Sequence, residues 1–152
     1  MNPTGRGRIP KWCSPACRVA AHRARRELPL ELMAADRWVR HDGKRPIQPD
    51  GSAASSTDAR TWTSWETAKR STAGDGLGFV LGAGFACVDI DHCLDEAGRP
   101  DGRARKLLAR IGEGYVEVSP SGTGLHVWGR APEQPGRRFP TFEVYSVGRF
   151  IT

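Results

Sequence analysis

Apolar residues along the chain fall into short runs with two different periods. Phe79-Val80-Leu81 and Ala86-Cys87-Val88-Asp89-Ile90-Asp91 are almost continuously apolar at one end, as expected of buried strands, and Gly82-Ala83-Gly84 joins them. Tyr115 to Val118 alternates apolar with polar, and Leu125 to Trp128 reads as the strand returning from a loop over 119–124. Phe142 to Tyr145 is a further strand, and Arg149 to Thr152 begins another. Upstream, Arg37 to His41 and Lys44 to Gln48 flank Asp42-Gly43, a tight-turn dipeptide between two strands. The helical period occurs twice. Arg103 to Ile111 puts Leu107, Leu108 and Ile111 on one face and is stopped by Gly112. Thr63-Ser64-Trp65-Glu66 reads as a capping box that opens a helix to about Arg70, with Trp62 and Trp65 in the core. Residues 49–58, 95–102 and 131–138 are polar, Gly- and Pro-rich loops. Strands mixed with short helices predict a compact α+β domain over residues 28–152.

Size agrees with that reading: 152 residues make about one domain, and 38% apolar residues suffice for a core without a disulfide scaffold. No apolar run is long enough for a membrane-spanning helix. Arg6, Arg8 and Lys11 are not followed by the apolar stretch of a secretory signal. A cytoplasmic location is therefore expected, with the four cysteines as reduced thiols or metal ligands. Charge changes the picture more. The formal charge of +6 suggests a nucleic-acid-binding surface. Residues 1–26, however, hold seven basic groups and no acidic one, while residues 27–152 hold 16 basic and 17 acidic groups. The excess belongs to a short basic N-terminal extension, and the domain after it is nearly neutral.

Several residue sets point to chemistry. Asp89 and Asp91 lie two apart on a strand and share a face, so their charges repel unless a cation sits between them. Hard oxygen ligands suit Mg²⁺ or Mn²⁺; the alternative is a strand end with two solvated acids. Ser119-Pro-Ser-Gly-Thr-Gly-Leu-His126 has the composition of a phosphate cradle, with Ser121 and Thr123 as hydroxyl donors and His126 on the outgoing strand. The alternative is a Gly-rich hairpin with a core histidine. Glu143 is either a third carboxylate beside Asp89 and Asp91 or an outward strand residue. Arg149 is either a phosphate contact or a surface ion-pair partner. Cys13 and Cys17, with His22 as a third ligand and Cys87 or Cys93 as a remote fourth, resemble half of a zinc site; free thiols are the alternative. Cys87 also alternates with inward strand residues, which marks it as core.

Three motifs in order, Val88-Asp-Ile-Asp-His92, Ser119-Pro-Ser-Gly-Thr-Gly-Leu-His126 and Phe142-Glu-Val-Tyr145 with Gly148-Arg-Phe-Ile-Thr152, resemble the archaeo-eukaryotic primase superfamily. The likeness is to the bifunctional primase-polymerase domains of phages and mobile elements. Gly43-Lys-Arg-Pro46, Ala54-Ser-Ser-Thr-Asp58 and Thr61-Trp-Thr-Ser64 add to it. The resemblance implies an RRM-like antiparallel sheet core with flanking helices and the site on one sheet face. It implies catalytic metal ligation by Asp89, Asp91 and Glu143, and triphosphate binding by Ser121 and His126. The implied reaction is DNA primase or polymerase nucleotidyl transfer on a single-stranded DNA template with nucleoside triphosphates. A helicase or other replication protein is the expected partner. Trp12-Cys-Ser-Pro-Ala-Cys-Arg-Val-Ala-Ala-His-Arg23 is similar to the second half of small zinc-binding motifs. The family pattern continues past Ile151-Thr152, so an element closing the fold is expected to be missing.

Two other functions compete. One is a non-catalytic nucleotide- or nucleic-acid-binding module of a larger replication protein. The other is a small DNA-binding protein acting through its basic N-terminus.

Overall fold

The computed structural model describes residues 27–152. The expectations placed on residues 1–26, including Cys13, Cys17 and His22, lie outside the described residues. The chain folds as α+β, with all named strands antiparallel and divided between two sheets. A single helical turn, α1 (Leu30–Met33), precedes the first hairpin, β1 (Trp38–Asp42) and β2 (Arg45–Ile47). A short helix, α2 (Trp65–Arg70), leads into β3 (Gly76–Val80) and β4 (Phe85–Ile90). The longer helix α3 (Gly102–Ile111) is followed by β5 (Tyr115–Val118), β6 (Leu125–Arg130), β7 (Arg137–Arg138), β8 (Glu143–Tyr145) and β9 (Phe150–Ile151). One sheet runs β2-β1-β3-β9 and the other β5-β6-β4-β8-β7.

Several boundaries shift from the sequence reading for local reasons. Asp42 pairs with Arg45, so the hairpin loop is Gly43-Lys44, with Gly43 at φ 56°. Helix α2 starts one residue late, capped by Ser64, whose hydroxyl accepts from the Thr67 amide. Thr63 is unavailable as the cap because its backbone pairs with Trp38 of β1 in both directions. Trp62 is only half-buried and lies under the Arg37 guanidinium, 4.4 Å from its ring centroid. Strands β3 and β4, adjacent in sequence, belong to different sheets. Gly82, Ala83 and Gly84 all have positive φ between them, which turns the chain from one sheet into the other. Two of the 131–138 loop residues form the edge strand β7.

The core has two parts, one on each face of the five-stranded sheet. Alternation along β4 sends Val88 and Ile90 to one face. There they pack with Leu125, Val127 and Val116 against Ala104, Leu107 and Leu108 of α3. Ile111, the last helical residue, stays exposed. Asp101 caps this helix, accepting from the Arg103 and Ala104 amides. Phe85 and Cys87 go to the other face and meet Trp38, Phe79, Leu81 and Ile151 of the four-stranded sheet. Edge-to-face rings of Trp38, Phe79, Phe85 and Trp128, with centroids 5.1–5.6 Å apart, knit this contact, each pair adding about 0.5–1.5 kcal/mol beyond area burial. Asp89 continues the Phe85-Cys87 face. The inter-sheet core therefore turns polar at the Asp89 end of β4, and the two sheets part there into a cleft.

Candidate active site

Strand register sets the geometry of the cleft floor. Cys87 pairs with Trp128 on one side and Tyr145 on the other, and Trp128 pairs with Tyr115. These four residues make an apolar row across the sheet. Two residues further along each strand, a second row reads Glu117, His126, Asp89, Glu143 and Arg138, each directly opposite the next. Residues opposite each other on antiparallel strands share a face, so all five side chains rise from the same surface. The aromatic row holds the charged row in place. Trp128 Nε1 donates to Glu117 Oε1 at 2.8 Å, Tyr115 Oη donates to Glu117 Oε2 at 3.1 Å, and Tyr145 Oη donates to Glu143.

Asp89 is the central member. Its carboxyl is raised above its ordinary value, first by burial and further by the charges of Asp91 and Glu143; His126 and Arg149 pull the other way. Asp89 Oδ1 is buried and makes no hydrogen bond, the one such side-chain atom among the described residues. His126 Nε2 lies 3.8 Å from it, beyond hydrogen-bonding distance. A buried, unpaired carboxylate oxygen facing two further acids is costly as it stands, and a divalent cation removes that cost. Asp91, just past the end of β4, is exposed and lines the same cleft. Glu143 faces Asp89 across β4 and β8 but is engaged by Tyr145 and by Arg138 Nε at 2.8 Å. Among the described residues, no three His, Cys, Asp or Glu side chains already converge at coordinating distance. The donor set and the orphaned Asp89 Oδ1 fit a hard cation, provided Glu143 exchanges its present partners for it.

The loop over 119–124 borders the row. Buried Ser119 donates or accepts to Ser121 at 2.9 Å, Ser121 does the same with Thr123 at 3.0 Å, and Ser119 Oγ accepts from the Gly124 amide. Gly124 must be glycine: a Cβ there would stand 2.9 Å from the Ile90 carbonyl oxygen and from Ser119 Oγ. Arg149, in the turn before β9, stacks on the Tyr145 ring with its guanidinium carbon 4.5 Å from the centroid. Asp89, Asp91, Glu143, Ser121, His126 and Arg149 thus all line one cleft of about 770 Å³.

Sequence reasoning did not single out Lys44, Ser56 or Arg138 of the cleft, nor Glu117 behind it. Lys44, at the β1–β2 hairpin tip, and Ser56 line the cleft from the four-stranded sheet's side. Both sit in segments that carried the family resemblance, which was the available signal.

The two remaining cysteines are core. Cys87 is fully buried, and burial pushes its thiol well above the ordinary value. Cys93 is also buried and donates to the Ile90 carbonyl.

Residues 18–144 match the family of bifunctional DNA primase/polymerase N-terminal domains, Prim-Pol. The chain belongs to the Prim-Pol family. Over 133 residues it is 38% identical to the DNA primase-polymerase of Nitratiruptor phage NrS-1, a match covering 76% of this chain and 18% of that relative. The Prim-Pol chain described here thus spans under a fifth of its relative's length. The match includes all of the charged row and the 119–124 loop, and it stops before Arg149.

Proposed function

We propose that this Prim-Pol domain is a metal-dependent nucleotidyltransferase of DNA replication, joining a nucleoside triphosphate to a 3′ hydroxyl as a DNA primase, a polymerase or both. The observation that carries this reading is the orphaned, buried Asp89 Oδ1 in a row of acids, facing a cleft whose other wall bears cations. Asp89, Asp91 and Glu143 would hold Mg²⁺ or Mn²⁺, which when bound activates the attacking hydroxyl and offsets charge on the leaving pyrophosphate. Ser121, His126 and Arg149 bind the triphosphate, joined by Lys44 from the opposite wall. Lys44 and Arg149 on the side opposite Asp89 and Asp91 orient the nucleotide, its outer phosphates toward them and its α-phosphorus toward the acids. The close Ser119-Ser121-Thr123 hydroxyls and the exposed Gly122, which has no Cβ, let a polyanion approach the loop.

The family resemblance supports a single-stranded DNA template, an RRM-like core in the five-stranded sheet and a helicase or other replication protein as partner. Among the described residues no helix is long and apolar enough to cross a membrane. Residues 28–152 are then the catalytic domain, and residues 1–26 a basic extension with Cys13 and Cys17 as candidate Zn²⁺ ligands.

The deciding experiment is primer synthesis or extension on single-stranded template with Mg²⁺ or Mn²⁺. The expected result is activity in the wild type and none in the Asp89→Ala, Asp91→Ala double variant. One observation favours a second reading, a nucleotide-binding module without catalysis: both Glu143 oxygens are engaged, by Arg138 and Tyr145. Nucleotide binding with no synthesis in either metal would select it.

A further inference from the structure

We infer that Glu117 is a positioning residue for the nucleotide site: it fixes the His126 ring so that Nε2, and not Nδ1, faces the cleft. The inference rests on the nucleotide-binding reading above and names a residue that reading does not use.

Glu117 is on β5, the far edge of the sheet, and His126 stands between it and Asp89. Its Oε1 lies 3.3 Å from His126 Nδ1. The carboxylate cannot swing away. Oε1 also accepts from Trp128 Nε1, and Oε2 accepts from Tyr115 Oη. Trp128 is buried and Tyr115 is half-buried against the inter-sheet core. The clamp is therefore anchored in the inter-sheet core. The bond one imidazole nitrogen makes decides which nitrogen is protonated and where the other points. An ionised carboxylate only accepts, so the nitrogen beside it carries a proton in both the neutral and the protonated ring. That leaves Nε2 directed along the row toward Asp89 and the cleft. His126 is itself 6% exposed, so its ring has few other polar partners to turn toward.

The arrangement is the one that histidines bound to metals use, with a carboxylate behind the ring and the working nitrogen in front. Removing such a partner at a metal site typically costs about 10- to 100-fold in metal affinity or activity, and a loss of the same order is expected here. Here the front nitrogen meets phosphate, which only accepts, so in the bound state both ring nitrogens donate, Nδ1 to Glu117 and Nε2 to phosphate. The observed side-chain order Tyr115/Trp128, Glu117, His126 makes a chain from the core to the nucleotide site in which each member orients the next.

The test uses the full chain and two variants. Glu117→Leu removes both acceptors. Glu117→Gln keeps one oxygen for Trp128 and Nδ1, and its amide can donate to Tyr115. Binding of a deoxynucleoside triphosphate with Mg²⁺ is measured by calorimetry. The ¹⁵N shifts of His126 are measured in the same proteins, assigned by their loss in His126→Asn. The expected result is Nδ1–H in the wild type, nucleotide affinity about 10- to 100-fold weaker in Glu117→Leu, and recovery of most of that loss in Glu117→Gln. Wild-type His126 with Nδ1 unprotonated overturns the inference. So does a folded Glu117→Leu that binds nucleotide as the wild type does, or a Glu117→Gln no better than Glu117→Leu. If Glu117→Leu does not fold, the wild-type ¹⁵N shifts and Glu117→Gln decide alone: an unprotonated Nδ1 in either sinks the idea. A wild type that binds no nucleotide overturns the underlying site reading instead, which separates the two failures.

Discussion

Asp89 is expensive for the fold as it stands, and the proposed site depends on it. Its buried, unpaired oxygen sits opposite Glu143 and two residues from Asp91. Replacing it by Asn removes a desolvated charge at nearly constant volume. Asp89→Asn is therefore expected to raise the thermal midpoint in metal-free buffer, although the fold gains no new contact. Mg²⁺ or Mn²⁺ should raise the midpoint of the wild type and not of the variant, a difference scanning calorimetry reads directly. Tyr115 supplies a pH test. Burial, then the Glu117 charge and hydrogen bond, push its phenol from 10 up to about 12. Between those values the folded chain keeps a proton that the unfolded chain has lost, so stability falls as pH rises through that window. Tyr115→Phe should flatten the fall while costing about 1 kcal/mol at neutral pH for the lost bond to Glu117. Asp89, Asp91, His126 and Glu143 were legible in the chain because each lies in a local pattern: two acids on one strand, a histidine after a Gly-rich loop, an acid between apolar residues. Glu117 was not, because only the β5–β6 register makes it the neighbour of His126.

Elements were legible where period and punctuation agreed. Helix α3 has both, and Asp101→Ala should cost it about 1 kcal/mol, within a range of about 0.5–2, in chemical denaturation. Helix α2 is instructive in the other direction. Thr63-Ser64-Trp65-Glu66 fits the capping pattern, yet the Thr63 backbone is committed to Trp38, 25 positions earlier, and the cap moves to Ser64. A local motif lost to a long-range pair that no window of sequence contains. The same holds for β3 and β4, which read as buried strands joined by Gly82-Ala83-Gly84 and serve two sheets. The 119–124 loop offers a direct check of close approach. Gly124→Ala forces its Cβ against the Ile90 carbonyl at the site end of β4, so nucleotide binding should fall together with the unfolding midpoint.

At the scale of the molecule, the +6 charge says little about the cleft. The described domain is nearly neutral, and what matters is how its charges are sorted. Asp89 and Glu143 stand in the five-stranded sheet with Arg138 paired at its edge, while Lys44 and Arg149 reach in from the hairpin tip and the turn before β9. Lys44→Ala should weaken nucleotide binding with little change in unfolding midpoint, because Lys44 is exposed at a loop tip. Binding titration beside a thermal melt checks both halves of that expectation.

The apolar row has a use of its own. Cys87 stands at its middle, wholly covered by residues of both sheets, with a thiol that resists ionisation. An alkylating reagent reaches it only when the sheets come apart. The rate of Cys87 modification, mapped by peptide mass, is thus a clock for that opening, built into the native sequence. A nucleotide that bridges the acidic floor and the cationic wall should slow the clock, and by how much gives the binding energy shared between the two halves of the protein.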